Sequence, residues 1–147
     1  MSTPLITHRL TVRFRDCDAF GHVNNAVYFT YLEEARAALW RAMNLTGFDE
    51  RGAENTALEM HGVSAILARA ECDFRAPARF GDVLDVRLSL AAIGRTSFTY
   101  EYEIVGVPDG QSIAAGRTVQ VLFDYTARRP VEIPESLRRT LSVMPNA

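Results

Sequence analysis

The chain contains no lysine: all sixteen of its basic residues are arginine. That absence excludes Schiff-base lysine chemistry and the phosphate-cradling lysine of P-loop proteins. Cysteine is scarce too. Cys17 and Cys72 cannot make a disulfide framework, and neither lies in a C-x-x-C pair with metal-site spacing, so they read as free thiols in a reducing compartment. No run of about 18 uncharged apolar residues is present, and the first residues lack a basic stretch followed by a long apolar one. The expectation is a cytoplasmic protein with no membrane partner. A formal net charge of -2 lacks the basic excess that neutralises nucleic-acid phosphates, which argues against a nucleic-acid partner. Arginine still suits an isolated phosphate, because its planar fork grips phosphate oxygens in pairs. A small phosphorylated ligand therefore stays open.

What is present is apolar residue in quantity, 48% of 147 residues. That is the size of one domain, 1–147, and folding should bury roughly 70% of its extended-chain surface. Apolar residues alternate in five stretches: Leu10, Val12, Phe14; Ile66, Ala68, Ala70, Cys72, Phe74; Leu84, Val86, Leu88, Leu90; Phe98, Tyr100, Tyr102, Ile104; and Val119, Val121, Phe123, Tyr125. A period of two means strands buried on one face. Turn signals at 77–82, 94–95 and 106–110 separate the last four stretches, and connections that short force antiparallel neighbours.

Between Ala26 and Asn44 the period changes, with Val27, Tyr31, Leu32, Ala35, Leu39 and Met43 at helical spacing. Asn24 or Asn25 supplies the N-cap, and Asn44 with Gly47 the stop. Such a helix is roughly 27 Å long, enough to cover one side of a five-stranded sheet. Residues 46–61 show no sustained period and read as a short helix or a pocket rim. After Tyr125 a proline-punctuated return leads to a terminal helical turn starting near Pro134. The expected fold class is α+β, a five-stranded antiparallel sheet wrapped around one long helix.

Immediately before the helix stand Asp16, Cys17, Asp18, Gly21, His22, Asn24 and Asn25. A loop on a rigid scaffold is where function tends to sit. A helix N-terminus offers unpaired N–H groups and a positive dipole end that stabilise a developing oxyanion. A carboxylate in that loop could attack a carbonyl or activate water against it, which suits hydrolysis of an acyl compound. Asp-x-Asp-x-x-x-His in one loop is not a recognised metal-ligand pattern. Cys17 alternates with Asp16 and Asp18, so it should point away from them and read as a buried thiol.

These residues resemble the hotdog-fold thioesterases of the 4-hydroxybenzoyl-CoA thioesterase and short-chain acyl-CoA thioesterase type. The match runs Asp16-Cys-Asp18-x-x-Gly21-His22-Val-Asn-Asn25-x-x-Tyr28-x-x-Tyr31-x-Glu33-x-Ala35-Arg36, and extends to Phe74-Arg-Ala-Pro77, Gly81-Asp82 and the late Arg-Arg-Pro130. The resemblance implies a hotdog fold, an acyl-CoA substrate, no metal and no cofactor apart from the coenzyme A of the substrate. It implies Asp18 as catalytic nucleophile or general base, and the backbone N–H of Asn25 as the group polarising the thioester carbonyl. Asn24 and Asn25 stand where the 4-hydroxybenzoyl-CoA branch has an aromatic residue and a tyrosine, which points to the branch carrying His-Val-Asn-Asn. Coenzyme A phosphates would lie near the turn holding Arg95, with Arg79 a second candidate. A homodimer or homotetramer is also implied.

Each residue has a plainer reading. Asp16 and Asp18 could both be turn residues bonding nearby N–H groups, and of the two Asp18 is the catalytic candidate. His22 either orients Asp18 or the thioester, or only holds the loop. Tyr28 and Tyr31 share a helix face and read as core, and Glu33 with Arg36 as an ordinary helix pair. The alternatives to an acyl-CoA thioesterase are an acyl-ACP thioesterase, acting on acyl carrier protein, and a non-catalytic acyl-CoA binder.

Overall fold

The structure is a computed structural model and describes residues 3–43 and 63–143. Strand β1 (Ile6–Thr11) leads through one turn of 3-10 helix (Phe14–Asp16) into the long helix α1 (Asn25–Ala42). Strands β2 (Val63–Phe74), β3 (Val83–Ile93), β4 (Ser97–Val107) and β5 (Ser112–Asp124) follow, then a two-residue strand β6 (Arg129–Pro130) and the helix α2 (Glu135–Ser142). The strands pair antiparallel in the order β1-β3-β4-β5-β2, with β6 added beside β5. The expected α+β arrangement is the one observed, and β1 and β2 form the two edges of the main path.

Helix α1 begins where the sequence supplies a cap. The Asn24 side chain accepts from the Ala26 N–H at 3.0 Å, taking up one of the donors that a first helical turn leaves without partners. Tyr28, Tyr31, Leu32, Ala35, Leu39 and Trp40 of α1 are buried against the concave side of the sheet. There they meet Leu84, Val86 and Leu88 of β3 and Phe98, Tyr100, Tyr102 and Ile104 of β4. Burying these side chains stabilises the fold by roughly 25 cal/mol per Å² of apolar surface removed from water. Gly116 of β5 lets the helix come this close: a Cβ there would stand 2.8 Å from Leu32 Cδ1.

Three expectations about which side chains face inward need correction. Phe14 is not a strand residue but lies in the 3-10 turn, 78% exposed. In β2 a bulge between Leu67 and Arg69 shifts the register. Before it Val63, Ala65 and Leu67 share the inner face, after it Ala70, Cys72 and Phe74, so Ile66 and Ala68 do not belong to the apolar series. One extra residue reverses every side chain beyond it. In β5 the phase is inverted throughout. Thr118, Gln120 and Leu122 are buried, whereas Val119, Val121, Phe123 and Tyr125 lie on the outer side.

The inner face of β5 is polar because it carries a hydrogen-bond chain. Arg36 of α1 donates to the Tyr102 hydroxyl at 3.2 Å, that hydroxyl shares a 2.7 Å bond with Thr118 Oγ1, and Gln120 Nε2 donates to the same Thr118 oxygen. Buried polar groups persist where they pair in this way. The Arg36 guanidinium thus reaches the sheet, while Glu33 is exposed. The expected stop at Asn44 and Gly47 and the unassigned stretch 46–61 lie outside the described residues. The terminal helical turn is present as α2, with Pro134 at its N-cap. Among the described residues no helix is long and apolar enough to cross a membrane.

Candidate active site

The loop between the 3-10 turn and α1 folds back on itself. Cys17 and Val23 form an isolated antiparallel bridge, Asp18 N–H donates to the His22 carbonyl at 3.1 Å, and Gly21 N–H donates to the Asp18 carbonyl at 3.0 Å. Gly21 closes this turn with a φ of +85°, a conformation only glycine adopts cheaply. Val23 N–H donates to the Ala78 carbonyl at 2.8 Å, and Gly81 N–H to Val12 at 3.0 Å, so the turn at 77–82 clamps the loop from outside. Phe14 and Phe80 meet edge to face across the same junction, 5.9 Å between ring centroids.

The two aspartates of the loop have different surroundings. Asp16 is buried, and its carboxylate accepts from the Arg13 N–H at 3.0 Å, the Arg13 guanidinium at 3.1 Å and the Tyr31 hydroxyl at 2.8 Å. Burial by itself would raise its pKa, but those bonds and the Arg13 charge outweigh it and hold the carboxyl below its ordinary value. The same contact and burial push the Tyr31 hydroxyl far above the usual phenol range. Asp16 therefore has its oxygens committed to structure. Asp18 is only half-buried, and among the described residues its one side-chain bond is at Oδ1, from the Phe20 N–H at 2.9 Å. Cys17 is partly buried, its thiol 3.8 Å from the Arg13 carbonyl.

His22 and Asn25 line one cleft of about 320 Å³, together with Tyr28 of α1, Phe74 at the end of β2, and Arg75 just after it. The His22 ring lies nearly parallel to that of the exposed Phe20, 6.4 Å away. Asn25 is the first residue of α1, where an N–H has no acceptor within its own helix. Asp18 is not among the cleft-lining residues but is tied to it through the backbone of His22. Arg79 sits in the clamping turn, directly after Ala78. Arg95 does not join them: it lies in the β3–β4 connection, at the other end of a strand roughly 35 Å long. Tyr28, Phe74 and Arg75 escaped assignment to the site. Tyr28 looked like core, and it is indeed buried edge-on against Tyr31, yet it also faces the cleft. Phe74 and Arg75 occur in the Phe-Arg-Ala-Pro77 stretch that carries part of the family resemblance, which was the available signal. Among the described residues no group of three or more His, Cys, Asp or Glu side chains is placed to hold a metal ion.

A half-buried carboxylate with one oxygen engaged, an imidazole, and a helix N-terminus on one clamped loop is an arrangement that can activate water or attack a carbonyl and hold the resulting oxyanion. Comparison with known proteins bears on the chain as a whole. The sequence model described as the thioesterase-like superfamily matches residues 12–141. The long-chain acyl-CoA thioesterase FadM of Escherichia coli is 26% identical over 92% of this chain and 96% of its own. The 1,4-dihydroxy-2-naphthoyl-CoA hydrolase of Synechococcus elongatus is 27% identical over 90% and 91%. The crystal structure of Slr0204, a 1,4-dihydroxy-2-naphthoyl-CoA thioesterase from Synechocystis, superposes with a TM-score of 0.80 over 92% of this chain and 93% of that one. At 23% identity that likeness speaks for the shared hotdog fold.

Proposed function

The chain belongs to the thioesterase-like superfamily, whose members are thioester hydrolases, and from that premise we propose that it hydrolyses acyl-CoA to a free acid and coenzyme A with Asp18 as its catalytic carboxylate. One observation carries the reading. Asp18 keeps an oxygen out of the hydrogen bonding of its own loop, whereas Asp16 spends both of its oxygens on Arg13 and Tyr31. As a base, Asp18 takes a proton from water, the hydroxide adds to the thioester carbonyl, the C–S bond breaks and the thiolate leaves with a proton. As a nucleophile it adds to the carbonyl itself and expels the thiolate, and water then opens the anhydride. In both routes the Asn25 N–H at the positive end of α1 holds the oxyanion. His22 lines the cleft and orients either the thioester or Asp18.

Arg79, on the turn that clamps the loop, would meet the phosphates of a coenzyme A entering the same protomer's cleft. Arg95, at the far end of β3, meets only a coenzyme A held by a neighbouring protomer. Among the described residues no strand pairs the outer edge of β2, which supports such an assembly, since a second copy pairing there would cover its N–H and C=O groups. A homodimer or homotetramer follows, and a monomer by light scattering at micromolar concentration contradicts it.

The test is Asp18→Asn. An amide oxygen can still accept from Phe20 N–H, so the fold should persist while turnover falls by roughly 10² to 10⁴. Near-normal activity removes Asp18 from the chemistry. A single turnover in ¹⁸O water tests the nucleophilic route: label in Asp18 requires an anhydride opened at the Asp18 carbonyl, whereas label confined to the product acid puts the attack of water at the acyl carbon, as the base route does. A thiol-release panel across acyl chain lengths, with acyl carrier protein thioesters alongside, distinguishes the carrier. Binding of coenzyme A with no release from any of them identifies a non-catalytic binder.

A further inference from the structure

A second cavity, of about 230 Å³, opens further along the same seam between α1 and β2. Glu33, Arg36 and Trp40 of α1 line it, with Ala65 and Leu67 of β2 and Gln120 of β5. On the helix, Asn25, Phe29, Glu33, Arg36 and Trp40 follow one another at spacings of four, four, three and four, a single stripe. On the sheet, the first cleft takes the Phe74 end of β2 and the second cavity the Val63 end. The two therefore follow one another along the α1–β2 seam, with Arg36 roughly 16 Å along the helix from Asn25. A cavity this small falls below the range that encloses a whole ligand and has room for one end of one.

The cavity wall contains an unfinished polar group. Gln120 is 4% exposed, and its amide is anchored by Nε2 to Thr118 Oγ1 within the chain Arg36, Tyr102, Thr118, Gln120. Gln120 Oε1 is buried and has no hydrogen-bond partner among the described residues. Such an orphan is destabilising unless a ligand or water completes it. Trp40 and Ala65 supply apolar walls around it.

We propose that this cavity is the subsite for the far end of the acyl group, and that Gln120 there selects an acyl group bearing a hydroxyl. The proposal rests on the thioesterase reading of the neighbouring cleft. A hydroxyl is the matching chemistry because it donates to Oε1 and also accepts, so it satisfies the amide in either orientation of its O and N atoms. Two kinds of acyl group could bring that hydroxyl. A long aliphatic chain would run along the seam from the same protomer's Asn25. A short hydroxyaryl group would arrive from a partner's loop, since antiparallel pairing of two β2 edges sets the Val63 end of one beside the Phe74 end of the other.

Trp40 is the chain's single tryptophan, so its emission reports on occupancy without any turnover. Titration uses two matched pairs of free acids, 12-hydroxydodecanoate with dodecanoate and 4-hydroxybenzoate with benzoate. At least one hydroxylated acid should bind about tenfold tighter than its partner, and the pair that shows the preference identifies the source of the hydroxyl. Gln120→Leu should bring the ratio close to one by weakening only the hydroxylated acid. Equal affinities within both pairs of the wild-type protein, no change in Trp40 emission with any acid, or a preference that survives Gln120→Leu overturns the proposal. The wild-type comparison stands even where the variant folds poorly. Thiol release from the corresponding CoA thioesters is measured in parallel. Hydroxyl preference without release from any thioester refutes the thioesterase reading and leaves the subsite, whereas release without hydroxyl preference does the reverse.

Discussion

Tyr31, two turns into α1, donates its hydroxyl to the Asp16 carboxylate at 2.8 Å, joining the helix to the 3-10 turn fifteen residues earlier. That bond decides which of two neighbouring aspartates is structural. With Arg13 gripping the same carboxylate through backbone and guanidinium, Asp16 pins the start of the loop that carries Asp18 to the helix that follows it. Tyr31→Phe should destabilise the fold by about 1.5 to 3 kcal/mol, the worth of a hydrogen bond to a charged group. Melting should fall by roughly 2 to 4 °C per kcal/mol for a chain of this length, with kcat on an acyl-CoA within a few-fold of wild type. A hundredfold fall in kcat at an unchanged melting temperature would instead give Asp16 a part in the chemistry.

The same carboxylate makes stability depend on acid. Asp16 titrates below its ordinary value in the fold, where the bonds from Arg13 and Tyr31 outweigh burial. Asp85 does so through the side-chain bonds and charge of Arg9, which bind it at 2.8 and 3.0 Å. A depressed carboxyl contributes stability that is complete above its unfolded pKa, near 4, and is lost as pH falls through its folded value. Urea midpoints should therefore be flat from neutral pH down to about 5 and decline below about 4. In Asp16→Asn the midpoint at neutral pH should be lower and the acid decline shallower. An unchanged acid slope in that variant would show that Asp16 is not responsible.

Much of this site could be read from the residues, and the misreadings have physical causes. The long helix, its Asn24 cap and the strands β3 and β4 follow from apolar periodicity, because their inner faces are apolar throughout: Leu84, Val86, Leu88, Phe98, Tyr100, Tyr102 and Ile104 are all buried. β5 defeats the same rule. Its inner face has Gly116 to admit α1 and Thr118 with Gln120 to complete the Arg36 chain, while Val119 and Val121 lie outside. Periodicity reports which face is apolar, and here the apolar face is not the covered one. In β2 a single bulged residue reverses the alternation, a shift that depends on pairing with β5 and leaves no mark in composition. Asp18, His22 and Asn25 stood out because a motif places them together. Gln120 and Trp40 gave no sign, since their cavity is assembled from β5, α1 and β2 at once.

Gly21 offers a separate test of how strongly the loop geometry matters. Its φ of +85° strains any L-residue, yet no atom lies within 4 Å of where a Cβ would stand, so Gly21→Ala meets a backbone penalty and no clash. The penalty is about 1 to 2 kcal/mol. Relaxing it would turn the Gly21 N–H away from the Asp18 carbonyl, which it now meets at 3.0 Å. With Asp18 in the proposed role, the expected result is a modest loss of stability with a disproportionate fall in kcat, tenfold or more, because displacing a reacting carboxylate by about 1 Å is costly. Loss of stability with kcat intact would show that the loop tolerates the change without moving Asp18.

Cys72 tests whether the seam between α1 and β2 shields what lies in it. It is on the inner face of β2, partly buried against the core, and burial above all, with the nearby Asp73 charge, pushes its thiol up to about 11. At pH 8 only about one molecule in a thousand then carries the thiolate, against roughly a quarter for an ordinary cysteine. Alkylation by iodoacetamide, followed at Cys72 by peptide mass spectrometry, should be at least 10²-fold slower than for a free thiol at pH 8. The rate should climb about tenfold per pH unit until pH approaches 11. Because the thiolate is absent at working pH, Cys72→Ser should leave thioester hydrolysis within a few-fold of wild type. Labelling at the rate of a free thiol would mean that β2 leaves the sheet often enough to expose its inner face, and the seam from Asn25 to Trp40 would then lack a fixed wall.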